Sequence, residues 1–448
     1  MYFFIAILIK LTMISMNFIL KSRMDFEVSL KKYLSNEEID KLIHSFSAKE
    51  KKAVFLNENK LKSQEFLNIF PNVKPHPVVK NGYIYDKNEY ELGKKVYHEL
   101  GAYYIQEPSA MLVAHFLDAK PGEKVLDLCA APGGKTIQTA LKMQNEGLII
   151  ANDLSKSRAN ILLSNIERLG ISNTVVTSYD FKEFYKDFQG FFDKIILDAP
   201  CSGSGMFRKS DEMKNDWTYE KVLKNAAIQK ELILMCYSML KEGGTLAYST
   251  CSYSFEEDEE VIEYLLNSTD ATLENIPSFD GEFRSLKYKE TVHLFPSHFE
   301  GEGHYIALIK KPGVLQNSKL KPIELTRTTE SKGKSKETHF FKVPDSLPTK
   351  FINYSLRPGL FYQIKSNDKT IPTHHLSRCV NAEGSIGLTK EELIKYLKGE
   401  TINKKCPDGY HFVSFMGMNV GFVYSMNGIL KNFYPKGLRF TASIDSSF

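Results

Sequence analysis

The stretch Ile195-Ile-Leu-Asp-Ala-Pro-Cys-Ser-Gly-Ser-Gly205 decides the fold, together with Leu246-Ala-Tyr-Ser-Thr-Cys251 further along the chain. In each segment a short apolar run ends abruptly in polar residues that include a cysteine. This pattern is typical of buried parallel strands that end at the carboxyl edge of an open α/β sheet. Because such sheets bind ligands at that edge, we predict that Cys201, Cys251 and Asp198 meet there and form a site for covalent chemistry.

The composition is that of a globular protein with reduced cysteines. A length of 448 residues allows about two or three domains, and a hydrophobic fraction of 42% excludes global disorder. With 58 basic against 54 acidic residues the net charge is only +4, so nucleic acid could be bound only by local patches. The six cysteines are scattered and form no Cys-x-x-Cys pair, which predicts neither a disulfide framework nor a metal site.

Residues 1–23 are apolar, but Lys10, Thr12 and Asn17 interrupt them too often for a confident membrane span. They also lack the basic leader and the small-residue cleavage site of a signal peptide. We therefore expect translation to start at Met24, with a membrane anchor as the alternative. If translation starts at Met24, we expect a cytoplasmic protein without a stable membrane partner.

Residues 24–100 are predicted to form a small α+β module. Ser35 followed by Glu38 is a capping box that begins a helix, and short strands are expected at 53–56 and 83–85. The lysines of this module indicate either a solvated surface or a surface that faces RNA.

From residue 101 to residue 311 strands alternate with helices, which predicts a doubly wound, Rossmann-like α/β sheet. The expected strands are 124–128, 148–153, 174–177, 193–197, 245–249 and 304–310. Residues 312–343 are rich in Lys, Ser, Thr, Glu and Pro and are predicted to be a linker. Residues 344–448 regain apolar runs and glycine turns, which indicates a β-rich region.

The loop in Leu126-Asp-Leu-Cys-Ala-Ala-Pro-Gly-Gly-Lys-Thr136 joins the first strand of this sheet to its first helix. Its glycines allow a ligand to approach the backbone, and the start of the helix favours an anionic group. The loop lacks the glycine spacing of dinucleotide sites and the Walker spacing of triphosphate sites. Asp153, Asp180 and Asp198 follow the next strands, where they could bind a ribose and an adenine edge. This series predicts S-adenosylmethionine as the cofactor.

Three motifs resemble those of the RNA cytosine-5 methyltransferase family (the Nol1/Nop2/Sun group): Cys129-Ala-Ala-Pro-Gly-Gly-Lys135, Asp198-Ala-Pro-Cys201-Ser-Gly-Ser-Gly205 and Ser249-Thr-Cys251-Ser252. The segments 103–111 and 301–307 are also similar to that family. The resemblance implies a methyltransferase fold. The C-terminal region is similar to the bacterial 16S rRNA methyltransferase F-like branch, which implies a PUA-like end and 16S rRNA, or a small ribosomal subunit particle, as the partner of a monomer.

The resemblance also implies roles for individual residues. Carbon 5 of cytosine is a poor nucleophile until a thiolate adds to carbon 6. The family assigns that attack to Cys251, release of the product to Cys201, and hydrogen bonds to the base to Asp198. The cofactor positions carried over are Cys129, Ala130, Ala131, Pro132, Gly133, Gly134, Lys135, Asp153, Asp180 and Asp198, with Arg158 as an additional contact.

Three alternatives stay open: a tRNA methyltransferase, a DNA cytosine-5 methyltransferase in which Cys201 attacks, and a catalytically silent RNA-binding factor of ribosome assembly. The intact cysteine pair argues against the last. His293, His298 and His304 are expected to be structural or RNA-contacting. The cations of the C-terminal region, which either contact RNA or are solvated, are Arg357, Lys365, Arg378, Lys404, Lys405, Lys436 and Arg439.

Two residues depart from the family pattern. Phe255 stands where proline is frequent, and Asp258 stands where asparagine is frequent. Both lie beside the Thr-Cys motif, so they put the local fit in doubt more than the chemistry. Cys236 is expected in the core of a long helix, and Cys379 and Cys406 have no assigned role.

Overall fold

The computed structural model describes residues 26–209, 211–316, 320, 322–329, 337–344, 347–348, 351–352, 355–366 and 369–439. The prediction for residues 1–23 lies outside the described residues. The chain forms two compact units. Unit I contains the described residues up to Lys51, then Glu107–Leu117 and Phe188–Leu315. Unit II contains Lys52–Gln106, Asp118–Asp187 and the described residues from Gln316 onward.

The helices and strands are numbered in chain order. The helices are α1 (26–30), α2 (Asn36–Ser45), α3 (Ser63–Ile69), α4 (Val96–Glu99), α5 (Met111–Leu117), α6 (Gly134–Lys142), α7 (Lys156–Leu169), α8 (Asp211–Asp216), α9 (Tyr219–Met239), α10 (Glu259–Ser268), α11 (His374–Cys379) and α12 (Lys390–Lys398). The strands up to residue 198 are β1 (Lys52–Leu56), β2 (Lys74–Pro75), β3 (Gly82–Tyr85), β4 (Tyr103–Gln106), β5 (Lys124–Asp127), β6 (Leu148–Asn152), β7 (Thr174–Thr177) and β8 (Phe192–Asp198).

The strands beyond residue 198 follow in the same order. They are β9 (Leu240–Thr250), β10 (Thr272–Glu274), β11 (Phe283–Arg284), β12 (Val292–His293), β13 (Tyr305–Lys310), β14 (Pro322–Thr329), β15 (Glu337–Pro344), β16 (Leu360–Ser366), β17 (Lys369–Pro372), β18 (Ile386–Gly387), β19 (Ile402–Asn403), β20 (Gly409–Phe415), β21 (Met418–Met426) and β22 (Ile429–Asn432).

In unit I the parallel strands β8 and β9 carry the fold-deciding stretch. Their register pairs Ile195 with Leu246 and Asp198 with Ser249, so both strands end at the same edge. The long helix α9 is the crossover between them. Strand β13 adds antiparallel to β9, with Tyr305 opposite Thr250. Both strands are buried along most of their length, and their paired central segments, 195–197 and 246–248, are continuously apolar.

In unit II the strands β5, β6 and β7 form a parallel sheet in this order, with α6 and α7 as crossovers. The apolar side chains of this layer form one core in which Val125 and Ile149 pack with Ile137 and Leu162. Helix α7 ends at Gly170, whose left-handed conformation closes the last turn. Parallel strands that alternate with helices confirm the predicted α/β class.

The N-terminal strands of unit II form an antiparallel sheet in the order β2-β3-β1-β4. This sheet shares one apolar cluster with the C-terminal region, in which Val54, Phe66 and Tyr103 lie with Leu393 and Val420. The domain boundaries inferred from composition stay predictions, since the compact units combine segments from several of the proposed domains.

The segment 312–343, for which the sequence predicts a linker, contains β14 and most of β15, so that prediction is corrected. These strands pair antiparallel, with Leu325 opposite Phe341, in the sheet β14-β15-β16-β17. Phe341 and Val343 are buried on either side of the exposed Lys342, whereas Ile323, opposite Val343, is 42% exposed. Backbone pairing between the strands stabilises a segment whose side-chain pattern alone indicates a loop.

A second C-terminal sheet has the order β18-β20-β21-β22-β19, which agrees with the predicted β-rich region. Among the described residues, none of the helices combines the length and the apolar character that a membrane span needs.

Candidate active site

The two predicted cysteines of unit I lie side by side. The loops that follow β8 and β9 bring the Sγ atoms of Cys201 and Cys251 to 2.9 Å from each other, with both cysteines free and partly exposed. Hydrogen bonding to Cys251 raises the pKa of the Cys201 thiol well above its usual value, and burial and the charges of Cys251, Glu257 and Asp198 add to the shift. Cys201 therefore keeps its proton more firmly and can donate it to the sulfur of Cys251.

Asp198, at the end of β8, lies at the edge of the same site. Its side chain is 30% exposed, and its Oδ1 accepts a hydrogen bond of 2.7 Å from the Ser249 hydroxyl. The Nε2 atom of His304 lies 3.8 Å from that same oxygen. The structure thus brings Cys201, Cys251 and Asp198 together, as the strand pattern predicts.

Glu257 joins the two loops that carry the cysteines. Its Oε1 accepts from the Ser202 backbone amide at 2.8 Å, and its Oε2 accepts from the hydroxyls of Ser202 and Ser252 at 2.5 Å each. Gln229 of α9 donates to Oε1 at 3.2 Å. Burial raises the pKa of Glu257, and these donors oppose that rise. The sequence reasoning missed this residue, although its place just after the Thr-Cys motif was a usable signal.

Glu107 and Ser109 form a second hydrogen-bonded group in unit I, which contacts His304. Ser109 is fully buried, and its hydroxyl lies 2.5 Å from Glu107 Oε2 and 3.3 Å from His304 Nδ1. Gly303, just before His304, has a φ of +115°, and a Cβ there would collide with Tyr253. The contact of His304 with Asp198 was also missed, although Glu107, Ser109 and His304 lie in the segments 103–111 and 301–307.

The N-terminal helices pack over the cysteine loops within unit I. Phe26 lies edge-on to Phe207 and Trp217 at centroid distances of 5.1 and 5.2 Å. The Tyr33 hydroxyl donates to the Tyr253 carbonyl at 2.5 Å, and the Tyr33 ring lies 5.9 Å from that of Phe255. Phe255 thus has an aromatic partner in the place where related sequences often carry proline.

Asp258, the other departure from the family pattern, is fully buried and accepts from Thr250 Oγ1 at 2.6 Å. Burial, together with the charge of Glu259, raises the pKa of Asp258 well above its usual range. Glu259 Oε1 lies 2.8 Å from His293 Nε2. The ligand atoms of Asp258, Glu259 and His293 lie within 4.8 Å of one another, so a metal ion could be held there, and the expectation of no metal stays a prediction.

In unit II the predicted cofactor loop closes over the start of α6. Gly133 has a φ of +116°, and a Cβ there would lie 2.8 Å from Leu162. Thr136 donates to the buried Asp127 at 2.6 Å, which ties the helix to the end of β5. Arg158 donates to the Ala131 carbonyl at 2.8 Å and lies 3.3 Å from the Asp153 carboxylate. Arg158 therefore links the loop to Asp153.

The other strand ends of unit II are held by Asn152, which sequence reasoning missed. Its amide donates to the carbonyls of Leu128 and Tyr179, and its Oδ1 accepts from Thr177. Asp153 is 3% exposed and accepts from the Ser155 amide at 3.0 Å. Asp180 is exposed and caps a short 3-10 turn by accepting from the Lys182 amide at 3.0 Å.

These residues fit S-adenosylmethionine. The start of α6 and the narrow loop at Gly133 could hold the amino-acid part, and the carboxylate of Asp153 is suited to a ribose. Cys129 and Lys135 of the loop are partly buried. The contacts predicted for Asp180 and for individual loop residues stay predictions.

The cations of the C-terminal region are not all free to contact RNA. Arg378 is 3% exposed, and its guanidinium donates to the carbonyls of Glu99, Arg168, Asn419 and Val420. Arg378 is therefore a structural residue, which corrects the expectation of an RNA contact. Among the cations that the sequence predicts to contact RNA, Lys365, Lys405 and Lys436 are exposed.

Comparison with known proteins gives matches along most of the chain. The model of the 16S rRNA methyltransferase RsmB/F family matches residues 114–310. The N-terminal domain of 16S rRNA methyltransferase RsmF matches 24–108, and the methyltransferase RsmF PUA domain matches 383–440.

Individual proteins agree with these matches. The chain is 40% identical over 251 residues to tRNA (cytosine(49)-C(5))-methyltransferase of Pyrococcus abyssi, covering 54% of this chain and 80% of that protein. It is 36% identical over 277 residues to ribosomal RNA small subunit methyltransferase F of Citrobacter koseri, covering 59% and 58% of the two. A solved methyltransferase homologue from Pyrococcus horikoshii aligns with a TM-score of 0.57 and 28% identity, over 66% of this chain and 98% of that one.

Proposed function

Because the chain belongs to the family of S-adenosylmethionine-dependent RNA cytosine-C5 methyltransferases, we propose that it methylates carbon 5 of cytosine in 16S rRNA. The observation that carries the proposal is the pair of thiols 2.9 Å apart beside Asp198. A single thiol would be enough for addition to the base, so the second thiol indicates a second covalent step.

Cys251 is the nucleophile in this proposal. Its sulfur forms a bond to carbon 6 of the base, and the electron pair of the ring double bond moves to carbon 5, which becomes nucleophilic. Cys201 is suited to hold the proton during attack, because its pKa lies well above that of an ordinary thiol. Asp198 is placed to hydrogen-bond the base and to stabilise the charge that develops on it.

S-adenosylmethionine supplies an electrophilic methyl group when bound. The residues that would hold it are the loop from Cys129 to Lys135 and the carboxylate of Asp153, with Asp180 and Asp198 as the further positions implied by the family. Arg158 steadies both the loop and Asp153 through its two contacts.

Cys201 completes the reaction after methyl transfer. Once the sulfur of Cys251 is bound to carbon 6, its negative charge is gone, and one of the causes that raise the pKa of Cys201 is removed. Cys201, which is partly exposed, then releases its own proton to solvent, and the resulting thiolate takes the proton from carbon 5. The electron pair of that bond restores the ring double bond as the sulfur of Cys251 leaves carbon 6.

The 16S rRNA substrate is supported by two matches outside the catalytic part, to the N-terminal and PUA domains of a 16S rRNA methyltransferase. A tRNA substrate is the alternative, because the Pyrococcus abyssi relative is named for tRNA. We further propose that the protein acts in the cytoplasm as a monomer. Of the cations predicted from the sequence, Lys365, Lys405 and Lys436 are exposed and are proposed to contact phosphates.

Methyl transfer from labelled S-adenosylmethionine tests the activity. The protein is incubated in parallel with naked 16S rRNA, small-subunit particles, tRNA and duplex DNA, and the labelled nucleoside is identified after digestion. We expect 5-methylcytidine in 16S rRNA, and Cys251→Ala serves as the inactive control. Transfer to tRNA alone contradicts the substrate, transfer to DNA alone contradicts the RNA class, and no transfer to any substrate supports a silent assembly factor.

The RNA-binding surface needs a different test. Removal of the chain beyond residue 311 would expose the core that the C-terminal region shares with β1 to β4. Replacing Lys365, Lys405 and Lys436 with alanine avoids this problem. We expect weaker RNA binding and a salt slope reduced by about 2, since each phosphate contact contributes about 0.7 on single strands. A matched triple replacement of Lys186, Lys224 and Lys289, which are exposed elsewhere, should leave both values unchanged.

A further inference from the structure

His304 lies between two carboxylates of unit I, at the start of the segment that leads into β13. Its Nδ1 is 3.6 Å from Glu107 Oε2, and its Nε2 is 3.8 Å from Asp198 Oδ1. The side chain of His304 is 9% exposed, and that of Glu107 is 10% exposed. A nearly buried imidazole thus connects a buried carboxylate with the carboxylate that faces the cysteine pair.

Glu107 is built to stay ionised. Its Oε1 accepts from the backbone amides of Ser109 at 3.0 Å and Glu302 at 2.7 Å. Its Oε2 accepts from the Ser109 hydroxyl at 2.5 Å and the Ala110 amide at 2.7 Å. Burial by itself would raise the pKa of Glu107, but the charge of His304 and these donors hold it below the usual value. A fixed negative charge therefore stands behind the ring of His304.

The neighbouring groups Ser109, Ser249 and Glu302 do not supply the His304 ring with another unpaired negative charge. The Ser109 hydroxyl donates its proton to Glu107, so its oxygen, 3.3 Å from Nδ1 of His304, can accept from a protonated ring, and Ser249 donates to Asp198 from the neighbouring strand. Glu302, on the same loop as His304, is paired with the buried Arg208 at 2.8 Å. Asp198 is thus the carboxylate that the Nε2 face of His304 meets.

We propose that His304 is a positioning residue that acts through Asp198: Glu107 keeps the imidazole protonated, and His304 sets the charge state and orientation of Asp198. The proposal rests on the proposed function. The separation of 3.8 Å is that of an ion pair, and it must shorten or be bridged by water for a proton to move.

Each proton that moves during the attack of Cys251 on carbon 6 has a donor and an acceptor. As the sulfur of Cys251 bonds to carbon 6, the N3 nitrogen of the base takes a proton from the Asp198 carboxyl. Asp198 takes its proton from Nε2 of His304, which becomes neutral and keeps its Nδ1 face toward Ser109 and Glu107. When Cys251 leaves, the proton returns along the same path, so no further reactant is needed.

The test compares His304→Gln with His298→Gln. His298 is a partly exposed histidine of the same unit and is paired with Glu38 at 2.6 Å. For His304→Gln we expect kcat to fall by about 100-fold, within the range of acid–base contributions, with the KM for RNA nearly unchanged. His298→Gln should keep both parameters. Added imidazole should partly restore the activity of His304→Ala in a dose-dependent way, which a merely structural role would not produce.

A second measurement does not depend on activity. The Asp198 carboxyl is followed by carbon-13 NMR during a pH titration and is assigned from the missing signal of Asp198→Asn. Loss of the His304 charge should raise the measured pKa of Asp198 in His304→Gln and leave it unchanged in His298→Gln.

The outcomes separate the inference from the proposed function. If the wild type methylates RNA while His304→Gln keeps full kcat and an unshifted Asp198 titration, the inference is overturned and the function stands. If the wild type methylates no RNA, the proposed function fails, and the NMR titration alone decides whether His304 controls Asp198.

Discussion

The Sγ atoms of Cys201 and Cys251 lie 2.9 Å apart in the loops that follow two adjacent parallel strands. This distance lets one thiol donate a hydrogen bond to the other sulfur. A change at Cys251 should therefore be measurable in the acidity of Cys201.

Replacing each cysteine separately should give opposite trapping behaviour. Cys251→Ala has no nucleophile, so we expect neither methylated product nor covalent RNA adduct. Cys201→Ala still attacks and methylates but cannot release the product, so a protein–RNA adduct should persist on denaturing gels. The double mutant should form no adduct, and Cys406→Ser, a replacement in unit II, should behave as the wild type. An adduct with Cys251→Ala and none with Cys201→Ala would reverse the roles.

The acidity of Cys201 should depend on Cys251. Hydrogen bonding with Cys251 is the largest cause that raises the pKa of Cys201, and the charge of Cys251 acts in the same direction. Replacing Cys251 with alanine removes both causes, so the pKa of Cys201 should fall. The pH dependence of Cys201 alkylation by iodoacetamide, followed by mass spectrometry, should shift to lower pH. An unchanged or higher midpoint would show that burial and the charges of Glu257 and Asp198, and not Cys251, set the acidity of this thiol.

Glu257→Gln should loosen both cysteine loops. The two carboxylate oxygens of Glu257 now accept from the Ser202 amide and from the hydroxyls of Ser202 and Ser252. A glutamine has only one acceptor oxygen, so at least one of these buried donors loses its partner. The expected loss of stability is about 1–3 kcal/mol, and the rate of methyl transfer should fall because the sulfurs are held less firmly. Chemical denaturation and initial rates measure the two effects. Glu263→Gln, which alters an exposed pair with Lys287 on the same unit, should change neither.

His375 should make the stability of unit II depend on pH. Its Nε2 donates to the Ile171 carbonyl at 2.8 Å, and burial lowers its pKa to about 4, with the charge of Arg357 as the next cause. The His375 imidazole binds a proton near pH 6.5 in the unfolded chain but only near pH 4 in the folded chain. The free energy of unfolding therefore decreases as the pH falls from 6.5 to 4.

The loss attributable to His375 is about 3 kcal/mol. Urea denaturation at pH 7.5 and at pH 4.5 measures it. In His375→Gln the difference between the two pH values should shrink by about that amount, because glutamine does not titrate. His411→Gln, a replacement of a more exposed histidine on β20, should keep the dependence of the wild type. Equal pH dependence in both variants would show that His375 does not contribute.

The sequence by itself determined the strands and loops of the candidate site. Apolar runs that end in Asp198 and in the Thr-Cys motif predict β8 and β9, and the glycine loop before α6 predicts a cofactor site. These features could be predicted because the buried middle of a parallel strand favours an apolar run, and the chain turns polar where the strand ends. The local pattern is therefore sufficient to locate them.

Only the tertiary structure decided which distant side chains meet. No sequence spacing shows that Glu257 joins both cysteine loops or that His304 stands between Glu107 and Asp198. The same is true of Arg378. Its positive charge suggests an RNA contact, but its guanidinium donates hydrogen bonds to backbone carbonyls. The hairpin β14–β15 is formed by backbone hydrogen bonds, which are the same for any side chain. Hydrogen bonds and burial depend on groups far apart in the chain, so their energy is not visible in a local pattern.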